Sequence, residues 1–387
     1  MFEHLPLPLW DETLTSWVYR ASLAKSERGR HLRRSLIACD GTTCRKLFCD
    51  VGYYSDEPHV FKKDFDFEHS EMADVACYVS NLNTTYFRRY FDASQEDVTP
   101  WDYRTLYCPA CLEKDIQDVG YPSWRKSWCY GTSAYCNVHG GLLKKLPDRE
   151  VSHNRAWEAF KYHSTESQAP PHRQGWFSPY GSAYRDRLAQ RVQVWMQSLA
   201  LQAHVLLPGM ADSVPARSVK IAAHAIYSIL LKQKTRFSVG GFAKTLVRTR
   251  KSEVSALNKT LADRLKLGLY ESAPYERMCA LLLIGILFGV IKESESARLV
   301  ALANAAQSQW PTNPKRIGQH SMDFNNLEEY ALVKAMFHGV DRRVMEHISG
   351  FIDGMESNTL SMRELRSTKA ALNSSGRAMW ERWLMMP

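Results

Sequence analysis

The sequence predicts a mainly α protein: a helical N-terminal region, a zinc ribbon-like module, and a helical C-terminal domain with a candidate helix-turn-helix. Three observations lead there. Apolar residues recur at helical spacing along most of the chain. Four metal-ligand residue types fall in two tight pairs, Cys108 with Cys111 and Cys136 with His139. Positive charge gathers late: residues 1–163 hold 21 Lys and Arg against 23 Asp and Glu, and residues 164–387 hold 29 against 18.

Residues 1–99 form the N-terminal helical region. Asp11 is placed to cap a first helix, on which Leu14, Trp17, Val18 and Ala21 share one face. Met72, Val75, Ala76, Val79 and Leu82 make a second stripe. The run TYFRRYF at 85–91 carries Tyr86, Phe87, Tyr90 and Phe91 around Arg88 and Arg89. Such rings can stack on bases, but a stripe facing the core is the expected use.

Residues 100–163 form the metal module, with short extended segments around its knuckles. Its pattern is C-P-A-C, a gap of 24 residues, then C-N-V-H. Two ligands two residues apart fit one tight turn, and two such turns close a tetrahedral Cys3His shell around one zinc. Four protein ligands leave no position for substrate water, so the site is expected to be structural. Cys39, Cys44 and Cys49 have successive spacings unlike a knuckle. With Cys77 and Cys129 they read as buried or free thiols.

Residues 164–182, STESQAPPHRQGWFSPYGS, are rich in Ser, Pro and Gly and make the expected linker. Residues 183–387 form the basic helical domain. Helical periodicity is expected over 183–204, 216–234, 241–249, 252–267, 274–291, 294–308, 326–337, 341–353 and 361–373, with Pro208, Pro215, Pro274, Pro311 and Pro314 between segments. Residues 213–252 contain nine Lys or Arg and no acid. Within and just beyond this stretch, Phe242 and Leu246, then Val254, Leu257, Leu261 and Leu265, give the apolar faces of two helices joined by a turn, with Ser252 capping the second. A helix-turn-helix would set Ser255, Asn258 and Lys259 toward base edges. Lys244, Arg248, Arg250 and Lys251 would meet the DNA backbone. A solvated basic hairpin or a partner surface explains the same residues.

Composition narrows the class. The 387 residues suffice for two or three domains, and 45% hydrophobic with 24% charged content is ordinary for a globular protein. Nine cysteines, an odd number with four assigned to metal, point to the cytoplasm rather than to a disulfide framework. The start lacks a basic and an apolar signal region. The most apolar run, CALLLIGILFGVI at 279–291, has 13 residues. A membrane span needs about 20, so a buried helix is expected and no membrane partner. No phosphate loop, HExxH, GxSxG or GxGxxG motif stands out, and the acids form no motif-like metal cluster. The chain reads as non-enzymatic.

The stretch 107–143, YCPACLEKDIQDVGYPSWRKSWCYGTSAYCNVHGGLL, resembles the core of the TniQ family of transposition target-selection adaptors. Cys108, Cys111, Trp124, Arg125, Trp128, Cys136, His139, Gly140 and Leu143 carry the likeness. The opening LPLPLWDETLTSWVYRAS is similar to that family's start at Pro6, Pro8, Glu12, Leu14, Ser16 and Trp17. The two matches cover roughly the first 150 residues. One departure stands out: many members carry a second cysteine knuckle pair, whereas this chain has no cysteine between Cys136 and Cys279. One zinc per chain is therefore expected.

The resemblance implies a non-catalytic adaptor that links a target-recognition module to an AAA+ ATPase regulator and a transposase. The chain's length resembles members that associate, as homodimers, with the RNA-guided Cascade complex of CRISPR-associated transposons. Two other readings stay open. One is a self-sufficient DNA-binding site selector of a transposon; the other is a zinc-containing DNA-binding transcription regulator. The expected role of Trp124 and Trp128 is to pack on the knuckles and hold the module to the N-terminal helices.

Overall fold

Thr13, not Asp11, opens the first helix. The computed structural model describes residues 5–23, 66–67, 84–94, 97–147, 154–166, 182–235, 240–247, 259–305, 310–311, 313–324 and 326–357. Helix α1 is Leu14–Ser22. Asp11 sits two residues too early, with φ of 61°, and its carboxylate instead accepts a hydrogen bond from the Ser127 amide at 3.0 Å. The helical face nonetheless matches expectation: Leu14, Trp17, Val18 and Ala21 are all buried.

The chain divides into two compact units, Met1–Pro170 and Pro171–Pro387. In the first, helix α2 (Thr84–Phe91) brings Phe91 against Trp17, ring centroids 5.9 Å apart. Tyr90 stays exposed, so the aromatic run supplies the core from one position and solvent from another. Strand β1 (Leu106–Tyr107) leads into helix α3 (Pro109–Val119). Strand β2 (Lys144–Lys145) pairs antiparallel with β1, and helix α4 (Arg155–Glu166) packs on α3. Helix α3 was not anticipated: extended segments were expected around both knuckles. Pro109 at its first position and Gly120 beyond its end, with φ of 77°, bound an 11-residue helix. Helix α4 likewise runs into the stretch read as linker, through Glu166.

A buried ion cluster ties this unit together. Asp66, fully enclosed, accepts from Arg104 at 2.7 Å, from Arg155 and from the Thr15 hydroxyl, while its backbone carbonyl accepts from the Leu14 amide at 2.9 Å. Burial pushes the carboxyl up, but Arg155 and Arg104 outweigh it and hold the group below its usual 3.8. The Arg155 guanidinium also lies over the rings of Trp101 and Trp124, at 4.2 and 4.7 Å.

In the second unit the described helices are α5 (Ser182–Ser198), α6 (Ala216–Leu230), α7 (Phe242–Leu246), α8 (Leu261–Tyr270), α9 (Pro274–Leu287), α10 (Glu293–Ala305), α11 (Pro314–Ser321), α12 (Leu327–Ala335), α13 (Arg342–His347) and α14 (Ser349–Ser357). Strands β3 (His204–Val205) and β4 (Val214–Pro215) pair antiparallel between α5 and α6. Helix α9 is the core, as its apolar run predicts: Met278 through Ile284 are completely buried, and α5, α6 and α7 pack on it. Among the described residues no helix is long and apolar enough to cross a membrane.

Three expectations need correction here. Pro274 and Pro314 do not lie between helices; Pro274 opens α9, and Pro314 opens α11, with the Asn313 side chain accepting from the Arg316 amide at 2.9 Å. The segment 341–353 is two helices, because α13 ends at His347 and α14 starts at Ser349. The helix expected over 252–267 does not run unbroken: residues 259–260 are not helical and α8 starts at Leu261. Thr260 is extended (φ −63°, ψ 162°) and its hydroxyl accepts from the Asp263 amide, a true N-cap that closes the helix off from Lys259. The helical stripe at 72–82, Ser252 and the segment 361–373 lie outside the described residues.

Candidate metal centre

The two halves of the metal site are brought together by the short β1–β2 ladder. Leu106 pairs with Lys145 and Tyr107 with Lys144, so the chain leaving β1 and the chain entering β2 lie side by side. Cys108 follows β1 directly and caps α3, and Cys111 sits in the first turn of that helix. The unpaired amides there favour negative charge on nearby sulfur. On the other side, 136–139 form a tight turn: the Gly140 amide donates to the Cys136 carbonyl at 2.9 Å, and the His139 amide donates to the Cys136 sulfur at 3.5 Å. Gly140 has φ of 64°, a conformation glycine adopts without strain.

All four ligand atoms lie within 4.8 Å of one another. The Cys111 and Cys136 sulfurs are 3.6 Å apart. His139 Nδ1 lies 3.6, 3.2 and 3.8 Å from the sulfurs of Cys108, Cys111 and Cys136. A tetrahedral zinc with bonds of about 2.3 Å to sulfur and 2.0 Å to nitrogen sets edges near 3.8 Å for S···S and 3.5 Å for S···N. The donor set therefore fits a zinc-sized ion without rearrangement. The three cysteines are buried and the histidine faces solvent.

The electrostatics also call for a cation. Contact with the Cys108 and Cys136 sulfurs pushes the Cys111 thiol up, while hydrogen bonds from Cys108 and Cys111 pull Cys136 down. One thiolate is accommodated by its neighbours, but three in mutual contact need a positive centre.

The aromatic frame lies directly behind the ligands. Trp124 and Trp128 are buried with Cys108, Cys111, Cys136 and Leu143 in one cluster, their rings edge-on at 5.4 Å. The Trp124 amide donates to the Ser16 hydroxyl at 2.9 Å, which fixes this frame to α1. Arg125 donates to Asp115 on α3 and to the Trp10 carbonyl. Glu12, seen in the sequence only as part of a pattern, is the buried partner of Arg20 at 2.7 Å. Cys129 is buried against this frame, as expected of a thiol outside the ligand set; Cys39, Cys44, Cys49 and Cys77 lie outside the described residues.

Residues 5–143 match the TniQ family model. That stretch of the chain is similar to the TniQ family. No curated protein and no solved structure matches it. The matched stretch lies wholly within the first compact unit. It contains the four clustered ligands, both tryptophans and helix α1, so the TniQ domain and the candidate metal centre are one structural object.

The nucleic-acid candidates fare differently. Lys244 lies 3.9 Å from Glu276 with most of its side chain covered. Lys259 precedes α8 and points its ammonium at the Gln233 side-chain oxygen, 3.4 Å away. Both are engaged within the unit. Arg248, Arg250, Lys251, Ser255 and Asn258 lie outside the described residues.

Proposed function

We propose that this protein is the adaptor that joins an RNA-guided Cascade target complex to an AAA+ ATPase regulator, which in turn recruits the transposase. The observation that carries the reading is the TniQ domain, with its Cys3His cluster and Trp frame built onto the N-terminal helix. One zinc per chain, held by Cys108, Cys111, Cys136 and His139, supplies folding free energy to that domain and takes no part in chemistry. The adaptor acts as a homodimer in the cytoplasm. Guide pairing supplies sequence specificity in such a system, so this chain touches the DNA backbone without reading bases.

One observation favours a second reading, a self-sufficient DNA site selector: the excess of 29 Lys and Arg over 18 Asp and Glu in residues 164–387. Arg248, Arg250, Lys251, Ser255 and Asn258 are the residues it would use. The start of α8 at Leu261 counts against it, because Lys259 is then not on a reading helix.

A pull-down separates the two. The adaptor reading expects the full chain to retain both a candidate Cascade and its ATPase, and RNA-guided integration to stop when the chain is omitted. Tight, salt-resistant binding to one attachment-site duplex, lost in Asn258→Ala, would overturn it in favour of the site selector.

A further inference from the structure

Three exposed arginines in the second unit are engaged by carboxylates. Arg191 forms a two-point pair with Glu295 and also donates to the Val290 carbonyl at 2.8 Å. Arg342 reaches Glu346, and Arg343 reaches Asp341, both at 3.2 Å. Arg187 and Arg298 differ. Both are exposed, and neither has a carboxylate within ion-pair distance among the described residues. Instead both guanidiniums lie over one ring, that of Tyr184, at 5.5 Å for Arg187 and 4.2 Å for Arg298.

The platform is fixed. Tyr184 and Arg187 stand on α5, and Arg298 stands on α10. The Arg191–Glu295 pair crosses between the same two helices, and the Tyr184 hydroxyl donates to the Glu295 backbone carbonyl at 3.5 Å. Stacking engages the flat face of a guanidinium and leaves its N–H donors, which lie in the plane, available at the edge. Two like charges are thus held beside one another over one ring. The nearby acids do not cancel them: Glu295 is committed to Arg191, and Asp186 lies 3.7 Å from Arg185. Exposed Glu293 is offset by exposed Lys292.

We propose that Tyr184, Arg187 and Arg298 form a contact for the phosphate backbone of duplex DNA, independent of base sequence. The ring is covered by the two guanidiniums, so it is not offered to a base, and the surface recognises phosphate charge. The proposal rests on the reading of the chain as a transposition adaptor working on DNA, and it assigns the backbone contact to α5 and α10.

The test is a salt titration of the full-length protein on a random-sequence duplex, read by fluorescence anisotropy. Neutralising two phosphate contacts should flatten the slope of log K against log salt by about 1.8, at roughly 0.9 per contact. Arg187→Ala/Arg298→Ala should show that change with an unaltered melting temperature. Tyr184→Leu keeps both charges and loses the platform, so its affinity should fall with a slope change below one. Arg342→Ala/Arg343→Ala, which removes arginines already paired with acids, should leave the slope almost unchanged. Equal slopes for the two double variants would overturn the proposal while leaving the adaptor reading intact. The same holds if Arg187→Ala/Arg298→Ala loses binding to anionic lipid vesicles but not to duplex. A failed Cascade and ATPase pull-down alongside the expected slope change would overturn the adaptor reading and leave the phosphate contact standing.

Discussion

Cys111 and Asp66 bury charge in the first unit by opposite means. Cys111 shares contact with Cys108 and Cys136, a group that becomes favourable as thiolates only around a cation. Cys111→Ala should therefore take bound zinc from about one equivalent to near none, measured by metal analysis of purified protein. Two tightly held zincs in the unaltered chain would contradict the single-site assignment. Asp66 needs no metal, because Arg104 and Arg155 surround it. Asp66→Asn removes the carboxylate that two buried guanidiniums share and should cost about 3–5 kcal/mol in urea denaturation, with zinc retained. The acid response follows from the sign of the shift. The folded carboxyl ionises below 3.8, so its contribution is complete above that pH and is lost as pH falls further through the folded value. That share of acid sensitivity should be missing from the Asn variant. The sequence exposed the first of these residues and hid the second. Ligands two residues apart leave a local trace, whereas Asp66 meets arginines 38 and 89 positions away, and only the folded chain brings them together.

Helices were legible where an apolar stripe ran through them and obscure where proline or a cap decided the boundary. The completely buried run in α9 needed no context, since every face is apolar. Helix α11 was lost to a rule applied in the wrong direction: Pro314 was taken as a separator although proline fits the first turn of a helix. The two-residue ladders β1–β2 and β3–β4 are too short to carry an alternating pattern. Helix α11 also shows how small residues set packing. It crosses α14 so closely that a Cβ on Gly318 would sit 2.0 Å from the Phe351 carbonyl oxygen, and one on Gly354 would sit 2.1 Å from that of Lys315. Both obstacles are backbone, so a side chain cannot swing away. Gly318→Ala should destabilise the second unit by at least the ~1–3 kcal/mol typical of overpacking. Gly141→Ala, where a Cβ meets nothing within 4 Å, should stay within about 0.5 kcal/mol. Thermal denaturation of the two variants checks the contrast, and equal melting temperatures would show that the helices can separate freely.

At the scale of the whole chain, the division between a near-neutral metal-binding half and a basic half was visible in the charge count. The joining of the N-terminal helix to the metal module was expected of Trp124 and Trp128, but the hydrogen bonds that make it were not visible. That joining rests on Trp124 to Ser16 and Arg125 to Trp10, contacts spanning more than a hundred residues. Each unit has its own core, one around Trp124 and Trp128 and one around α9. Among the described residues the candidate metal centre lies in the first. Zinc at a thousand times its dissociation constant stabilises the unit that holds it by about 4 kcal/mol. In a domain of roughly 150–250 residues each kcal/mol moves the melting point by about 2–4 °C, so chelation should lower one transition by about 10 °C. Calorimetry of the full chain with and without chelator should show that transition moving while a second stays in place. The moving transition should be the one already lowered in Cys111→Ala, and it should not respond to Gly318→Ala. A single transition, or two that move together on chelation, would mean that the units do not unfold independently. The stability supplied by zinc in the TniQ domain would then reach the basic helices as well.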